Sequence, residues 1–174
     1  MVLEQVNTQS ILFQLNGNSR VWIYQSNREL DEKEVVVLQS QLNGFVREWT
    51  AHSKQLSAAS DIFYRRFIVL AVDESQAGAS GCSIDKSVHF LQMIENQYDI
   101  TLFDRMQFAY FDNNAVKTIA SNDLKRLYTC LPDRQAEGML SDDSVFFDNM
   151  VNTIEGLKSA WLKPLRESWH RRFL

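Results

Sequence analysis

The chain has 174 residues, 45% of them hydrophobic and 11% aromatic, enough apolar side chain to fill the core of one domain of ordinary size. Its 18 Lys and Arg against 22 Asp and Glu leave a net charge of −4, which does not imply a large basic surface for nucleic-acid phosphates, a local patch aside, and makes nucleic acid an unexpected partner. Only Cys82 and Cys130 are present, far apart and without metal-ligand spacing, so no disulfide scaffold, structural zinc or other metal site is expected and both thiols should be reduced.

The start, Met1-Val2-Leu3-Glu4-Gln5-Val6-Asn7, has no basic residue and no apolar stretch of signal-peptide or membrane-span length, and this reads as a cytoplasmic protein with no membrane span. Ile11 to Leu15 fits the close of a short helix or a strand, helix being preferred, before a turn at Asn16-Gly17-Asn18-Ser19. Val21-Trp22-Ile23-Tyr24 is β-branched and aromatic and reads as a strand that ends at Gln25-Ser26-Asn27-Arg28. Asp31 with Glu34 three residues on resembles a capping box, and Val35, Leu38, Leu42, Phe45, Val46 and Trp49 then recur at three and four to predict a helix.

His52 to Ser60 is read as a short antiparallel strand, with Ser57-Ala58-Ala59-Ser60 as the turn into the next segment. Phe67 to Val72 is an unbroken apolar run of the kind buried on both faces, which makes it the central strand. A second helix is predicted from Ser83 to Tyr98, with Asp85 in its first turn, where a negative charge meets the helix dipole favourably. Arg105 to Phe111 and Ala115 to Ile119 flank Asp112-Asn113-Asn114, a hairpin signal because Asn tolerates positive φ. Leu124 to Leu131 makes a short amphipathic piece stopped by Pro132, Gly138 lies in a loop, and Ser141-Asp142-Asp143 opens a long helix through Val145, Phe146, Met150, Val151, Ile154, Leu157, Trp161 and Leu165, with Pro164 as a kink.

The fold these elements imply is α+β: a mixed sheet of four or five strands in a split βαβ, ferredoxin-like arrangement, helices mainly on one face, and a helical C-terminal extension. An open α/β sheet is the alternative. Residues 1–174 form a single domain, with 1–120 as core and 121–174 packed on it. Two parallel strands joined by a right-handed crossover would bring both strand ends to one rim, where ligands bind in open α/β sheets. That rim gathers Asn27, Arg28, His52, Asp73, Glu74, Ser75, Gln76, Ser80, Gly81, Cys82, Ser83 and Asp85. Unsatisfied N–H groups at a helix start favour a thiolate, so Cys82 is a candidate nucleophile with His52 as base, while His89 lies about 10 Å further along the axis. The alternative for Cys82 is an inert packed thiol, and for Asp73 and Glu74 a solvated loop that caps nearby N–H groups. No Gly-x-x-x-x-Gly-Lys-Ser/Thr, Gly-x-Gly-x-x-Gly or His-Glu-x-x-His occurs. From Trp161 to Leu174, aromatics alternate with Lys and Arg, which suits either packing on the sheet or docking on a partner.

Val21 to Arg28, Trp49-Thr50-Ala51-His52, and Val72-Asp73-Glu74-Ser75 through Gly81-Cys82-Ser83-Ile84-Asp85 together resemble a family of small bacterial proteins of unknown function whose members often carry the label "ABC transporter ATPase". The likeness extends from about Arg20 to Thr118. The label implies a phosphate loop that this sequence lacks, so the family supplies no catalytic residues. Three functions stay open: a protein that binds an unknown small ligand or partner at the rim of 25–28 and 73–85, a cysteine-dependent enzyme built on Cys82 and His52, and an assembly protein, a homo-oligomer being one form of it, acting through its C-terminal stretch. The sequence leaves the cofactor unknown.

Overall fold

Chain order sets up a three-stranded core first. The computed structural model describes residues 9–128 and 139–174; the expectations for 1–8, Cys130, the helix end at Leu131 and Pro132, and the Gly138 loop lie outside these. After a 3-10 turn at Ile11–Gln14 come β1 (Arg20–Gln25), α1 (Glu32–Glu48), the small hairpin of β2 (Thr50–Ala51) and β3 (Lys54–Gln55), then β4 (Ser57–Phe63), β5 (Phe67–Asp73) and α2 (Gly81–Tyr98). The remainder is β6 (Gln107–Asp112), β7 (Ala115–Ala120), α3 (Leu124–Leu127), β8 (Val145–Phe147), α4 (Ile154–Ser159) and β9 (Leu162–Pro164), with 3-10 turns to the end.

The protein is α+β, with separate antiparallel sheets ordered β1-β5-β4 and β7-β6-β8-β9 beside the β2-β3 hairpin. As its composition demands, β5 is the middle strand, and every residue from Phe67 to Val72 is fully buried. Its side chains alternate between two cores. Ile68, Leu70 and Val72 face Leu38 and Leu42 of α1 and Leu91 and Ile94 of α2. Phe67, Val69 and Ala71 face Phe147, Ile154, Leu157 and Trp161 from the C-terminal part. A large side chain of this kind stabilises by about 1.5–3 kcal/mol when buried, so the two-sided strand anchors both layers.

Local signals account for most element ends. Asp31 and Glu34 form the reciprocal capping box of α1, Ser80 caps α2 by accepting from the Ser83 N–H, and Thr153 caps α4. Asn113 and Asn114 take positive φ of 47° and 65° to turn β6 into β7.

Three expectations are corrected. First, β1 pairs β5 antiparallel, Arg20 opposite Val72 and Gln25 opposite Phe67. A split βαβ, ferredoxin-like sheet or an open α/β sheet needs parallel neighbours, and every pairing between the strands β1 to β9 is antiparallel. Second, Ser57-Ala58-Ala59-Ser60 is not a turn. These residues lie in β4, paired with β5 from Ser57–Asp73 to Phe63–Phe67, and the reversal falls at Tyr64 and Arg65, with φ of 51° and 49°. Third, the long helix from Ser141 is replaced by β8, a turn, the six-residue α4 and β9. Phe146 sits opposite Tyr110 of β6, and this pairing overrides the helical spacing of the apolar residues.

Candidate functional site

The antiparallel pairing divides the expected rim between the two ends of α2. At its C-terminal end, Asn27 exchanges hydrogen bonds with Thr101, its N–H donating to the Thr101 carbonyl and its Oδ1 accepting from the Thr101 N–H. Arg28 grips Glu34 with both ends of its guanidinium, at 2.8 and 2.7 Å, and donates to the Tyr98 carbonyl at 2.6 Å. Hydrogen bonding from Arg28, then from the Asp31 N–H, holds the Glu34 carboxyl at about 2. A cation bonded to a last-turn carbonyl also complements the helix dipole. Asn27 and Arg28 therefore fasten the exit of β1 to the end of α2.

Sixteen residues earlier, about 24 Å along the axis, Cys82 opens the same helix. Asp73 accepts from the Ser75 N–H, which together with the Ser75 side chain holds its carboxyl below the usual range. Glu74 accepts from the Ala79 N–H at 2.9 Å and lies 3.9 Å from Arg20. Ser80 and Ser83 bond to each other and to the helix start, Ser75, Gln76, Gly81 and Asp85 are exposed, and Cys82 is a free, exposed thiol. His52 occupies the β2–β3 turn at φ 48°, and the neighbouring Trp49 donates its indole N–H to the Ser83 carbonyl, which sets this hairpin against the start of α2. Among the described residues no hydrogen bond joins His52 to Cys82, His89 bonds instead to the Asp85 carbonyl, and no cluster of His, Cys, Asp and Glu suits a metal ion.

A different place has the features of a binding site. On the side of β1 away from β5, the Val21 N–H donates to Asn152 and the Ile154 N–H to Ser19, forming a single bridge between Arg20 and Thr153. Beyond it no strand pairs with this edge among the described residues. Backbone groups alternate along a strand, so Ile23, two residues after Val21, points its N–H and C=O outward as well. The chain before Thr153 leaves the edge because Asp148 to Val151 turns, with Val151 N–H on the Asp148 carbonyl. The resulting cleft is about 210 Å³, bounded by β1, by Leu102 to Gln107 and by Phe147 to Asn152, with Phe108, Trp169 and His170 at its wall.

Besides the exposed Asp104 and Arg105 of its wall, this space is faced by Gln25, Asn149 and His170 from fixed positions. Gln25, 7% exposed, donates to the Gln107 carbonyl and accepts from Asn149 Nδ2, while Asn149 Oδ1 accepts from the Trp161 indole. His170, 2% exposed, stacks on Trp169 at 4.1 Å and packs against Phe108 and Phe146. Burial pushes its imidazole down to about 4, against a smaller upward pull from Asp148, so the ring is neutral near pH 7. Asp148 accepts from Trp169 Nε1 at 3.0 Å, the Met150 N–H at 3.1 Å and Lys163 Nζ at 3.0 Å. Phe103 and Met150 stand partly in solvent at the mouth.

Sequence reasoning missed Gln25, Asn149 and His170 as a group. The only local hint was Ser168-Trp169-His170, a hydroxyl two residues before an imidazole within an aromatic stretch. Among the described residues no helix is long and apolar enough to cross a membrane. Comparison of the chain with protein-family models, curated proteins and solved structures found no match.

Proposed function

We propose that this is a binding protein whose site is the cleft beside β1, and that its ligand is a small, flat, largely apolar molecule bearing a hydrogen-bonding group. The observation that carries this is an edge strand whose outward N–H and C=O at Ile23 open into a cavity walled by Tyr24, Phe103, Phe108, Phe147 and Trp169. Concave, mostly apolar spaces with a few fixed polar groups are where small ligands bind. Gln25 belongs to the 25–28 segment, so this reading keeps one end of the ligand rim read from the sequence and leaves out 73–85. The cysteine-dependent alternative, Cys82 as nucleophile and His52 as base, has no comparable support, since neither side chain is held by the other.

A fragment screen followed by backbone amide NMR on the full chain tests the proposal. Hits should shift Ile23, Gln25, Phe103 and Met150 together, and Met150→Lys together with Phe103→Lys should weaken them at least fivefold. Hits that cluster instead around Gln76 to Cys82 would refute it.

A further inference from the structure

Resting on the cleft as a ligand site, we propose that His170 is its specificity-determining donor, presenting an Nε2–H that selects a neutral carbonyl or amide oxygen on the ligand. The argument is a count of hydrogens around Ser168. Ser168 Oγ accepts from the His170 backbone N–H and lies 2.5 Å from His170 Nδ1. With one N–H already directed at that oxygen, its own hydrogen is free to point at Nδ1, and this arrangement satisfies all three groups. Were Nδ1 protonated instead, the hydroxyl would accept twice and its hydrogen would have no partner among the described residues. The neutral ring therefore carries its proton on Nε2. That nitrogen makes no hydrogen bond among the described residues, is not among the sealed atoms lacking a partner, and belongs to a side chain that is nine-tenths buried and lines the cleft.

The surroundings decide the charge of the acceptor. Lys163 is taken up by Asp148, Arg172 lies over the Trp169 ring at 4.8 Å, and the exposed Arg105 and Asp104 enter the cleft wall as one cation and one anion, so no net charge is offered to the ligand. Asp148, 6% exposed behind Trp169, is offset by the Lys163 ammonium. A carboxylate or phosphate would lose its water to a neutral donor between aromatic rings, an expensive exchange. A neutral C=O gives up less and gains the same bond. The aromatic walls complete the class: a flat ring or conjugated system carrying an amide, ketone or lactam oxygen.

Four probes of one size separate the alternatives on full-length protein with 15N-labelled histidine: toluene, benzamide, benzoate and protonated benzylamine. Long-range 1H–15N spectra of the free protein should show His170 protonated on Nε2, a result that needs no variant. Benzamide should bind at least tenfold more tightly than toluene or benzylamine and shift Nε2. His170→Phe should retain toluene and lose the benzamide preference, and Ser168→Ala, which releases the tautomer, should reduce it severalfold. A proton on Nδ1, or a benzamide preference that survives in His170→Phe, overturns the donor role. Benzoate binding above benzamide overturns the neutral acceptor. Toluene bound in the cleft with no preference for benzamide removes this inference alone, whereas failure of all four to shift any cleft residue removes the cleft as a ligand site as well.

Discussion

Acidification should unfold this protein partly through one imidazole. His170 titrates at about 4 when folded and at 6.5 in an open chain, because charging the ring between Trp169, Phe108 and Phe146 means removing it from water. Between those values the unfolded chain binds the extra proton, so stability rises with pH across the window. The contribution is complete above 6.5 and is lost as pH falls toward 4. At about 1.4 kcal/mol per pH unit of separation, it amounts to about 2 kcal/mol lost by pH 5 and about 3 kcal/mol by pH 4. The facing charges are Asp148, which opposes the shift, and Arg172, which reinforces it. Urea titrations followed by tryptophan fluorescence at half-unit steps from pH 7.5 to 4, for the native chain and His170→Phe, isolate the effect, and histidine ring NMR separates His170 from the exposed His52 and His89. The variant's curve should be flatter by about 2 kcal/mol between pH 7.5 and 5. Identical slopes, or a His170 midpoint above 6, would refute the reasoning.

Four further measurements probe the frame around the cleft. Trp161→Ala removes a fully buried indole packed on Phe63, Phe67 and Phe147 and should cost about 3–5 kcal/mol in equilibrium unfolding. Asp31→Ala breaks the capping box of α1 and should cost about 1 kcal/mol, with restoration by Asp31→Ser and none by Asp31→Val. Ser53→Gly relieves a non-glycine φ of 64° in the β2–β3 turn and should raise stability by up to about 1 kcal/mol, visible as a higher urea midpoint at unchanged slope. Asp148→Ala, which strands the Trp169 indole, the Met150 N–H and the Lys163 ammonium, should cost at least about 2 kcal/mol and shift the Trp169 indole resonance, while Asp148→Asn should keep that resonance near its native position.

What was legible in the sequence was local. Asp31 and Glu34 mark a helix start because their two hydrogen bonds close within four residues, and Asn113-Asn114 marks a reversal because the backbone there needs positive φ. The run from Phe67 to Val72 announces two-sided burial without any knowledge of what covers it. Direction was not legible. Nothing between Tyr24 and Phe67 states that β4 pairs with β5 and that β1 runs against it. Ser57 to Ser60 looks like a turn by composition, yet small side chains there let α1 lie close, and Gln39 of α1 donates to the Ser60 carbonyl. The real reversal at Tyr64 and Arg65 carries no glycine or asparagine and is held instead by tertiary contacts: the Tyr64 ring packs on Phe67, Phe111 and Phe147, and Arg65 pairs with Glu29. From Val145 to Leu165 the three-and-four spacing suits a helix, but Phe146 and Phe147 must serve different cores, and only a strand sends neighbours to opposite faces.

That last feature also explains why the candidate site escaped the sequence. The cleft exists because the chain meets β1 at Thr153, having departed from its edge at the preceding turn, and the carboxylate of Asp148 holds that turn in place. The same carboxylate fixes Trp169, which stacks on His170 and so determines both the wall of the cavity and the charge of its imidazole. One buried acid thus joins β9, through Lys163, to the turn from 148 to 151 and the terminal 3-10 turn, while Asn149 of the same turn bonds to Gln25 at the end of β1, 124 residues away along the chain. In the strand-end loop from Asp73 to Asp85, by contrast, Asp73, Glu74 and Ser80 accept from the loop's own N–H groups at Ser75, Ala79 and Ser83. Such a loop is conspicuous in sequence because its caps are local, whereas a split between two sheets leaves backbone and imidazole groups facing a cavity and gives no local sign of it.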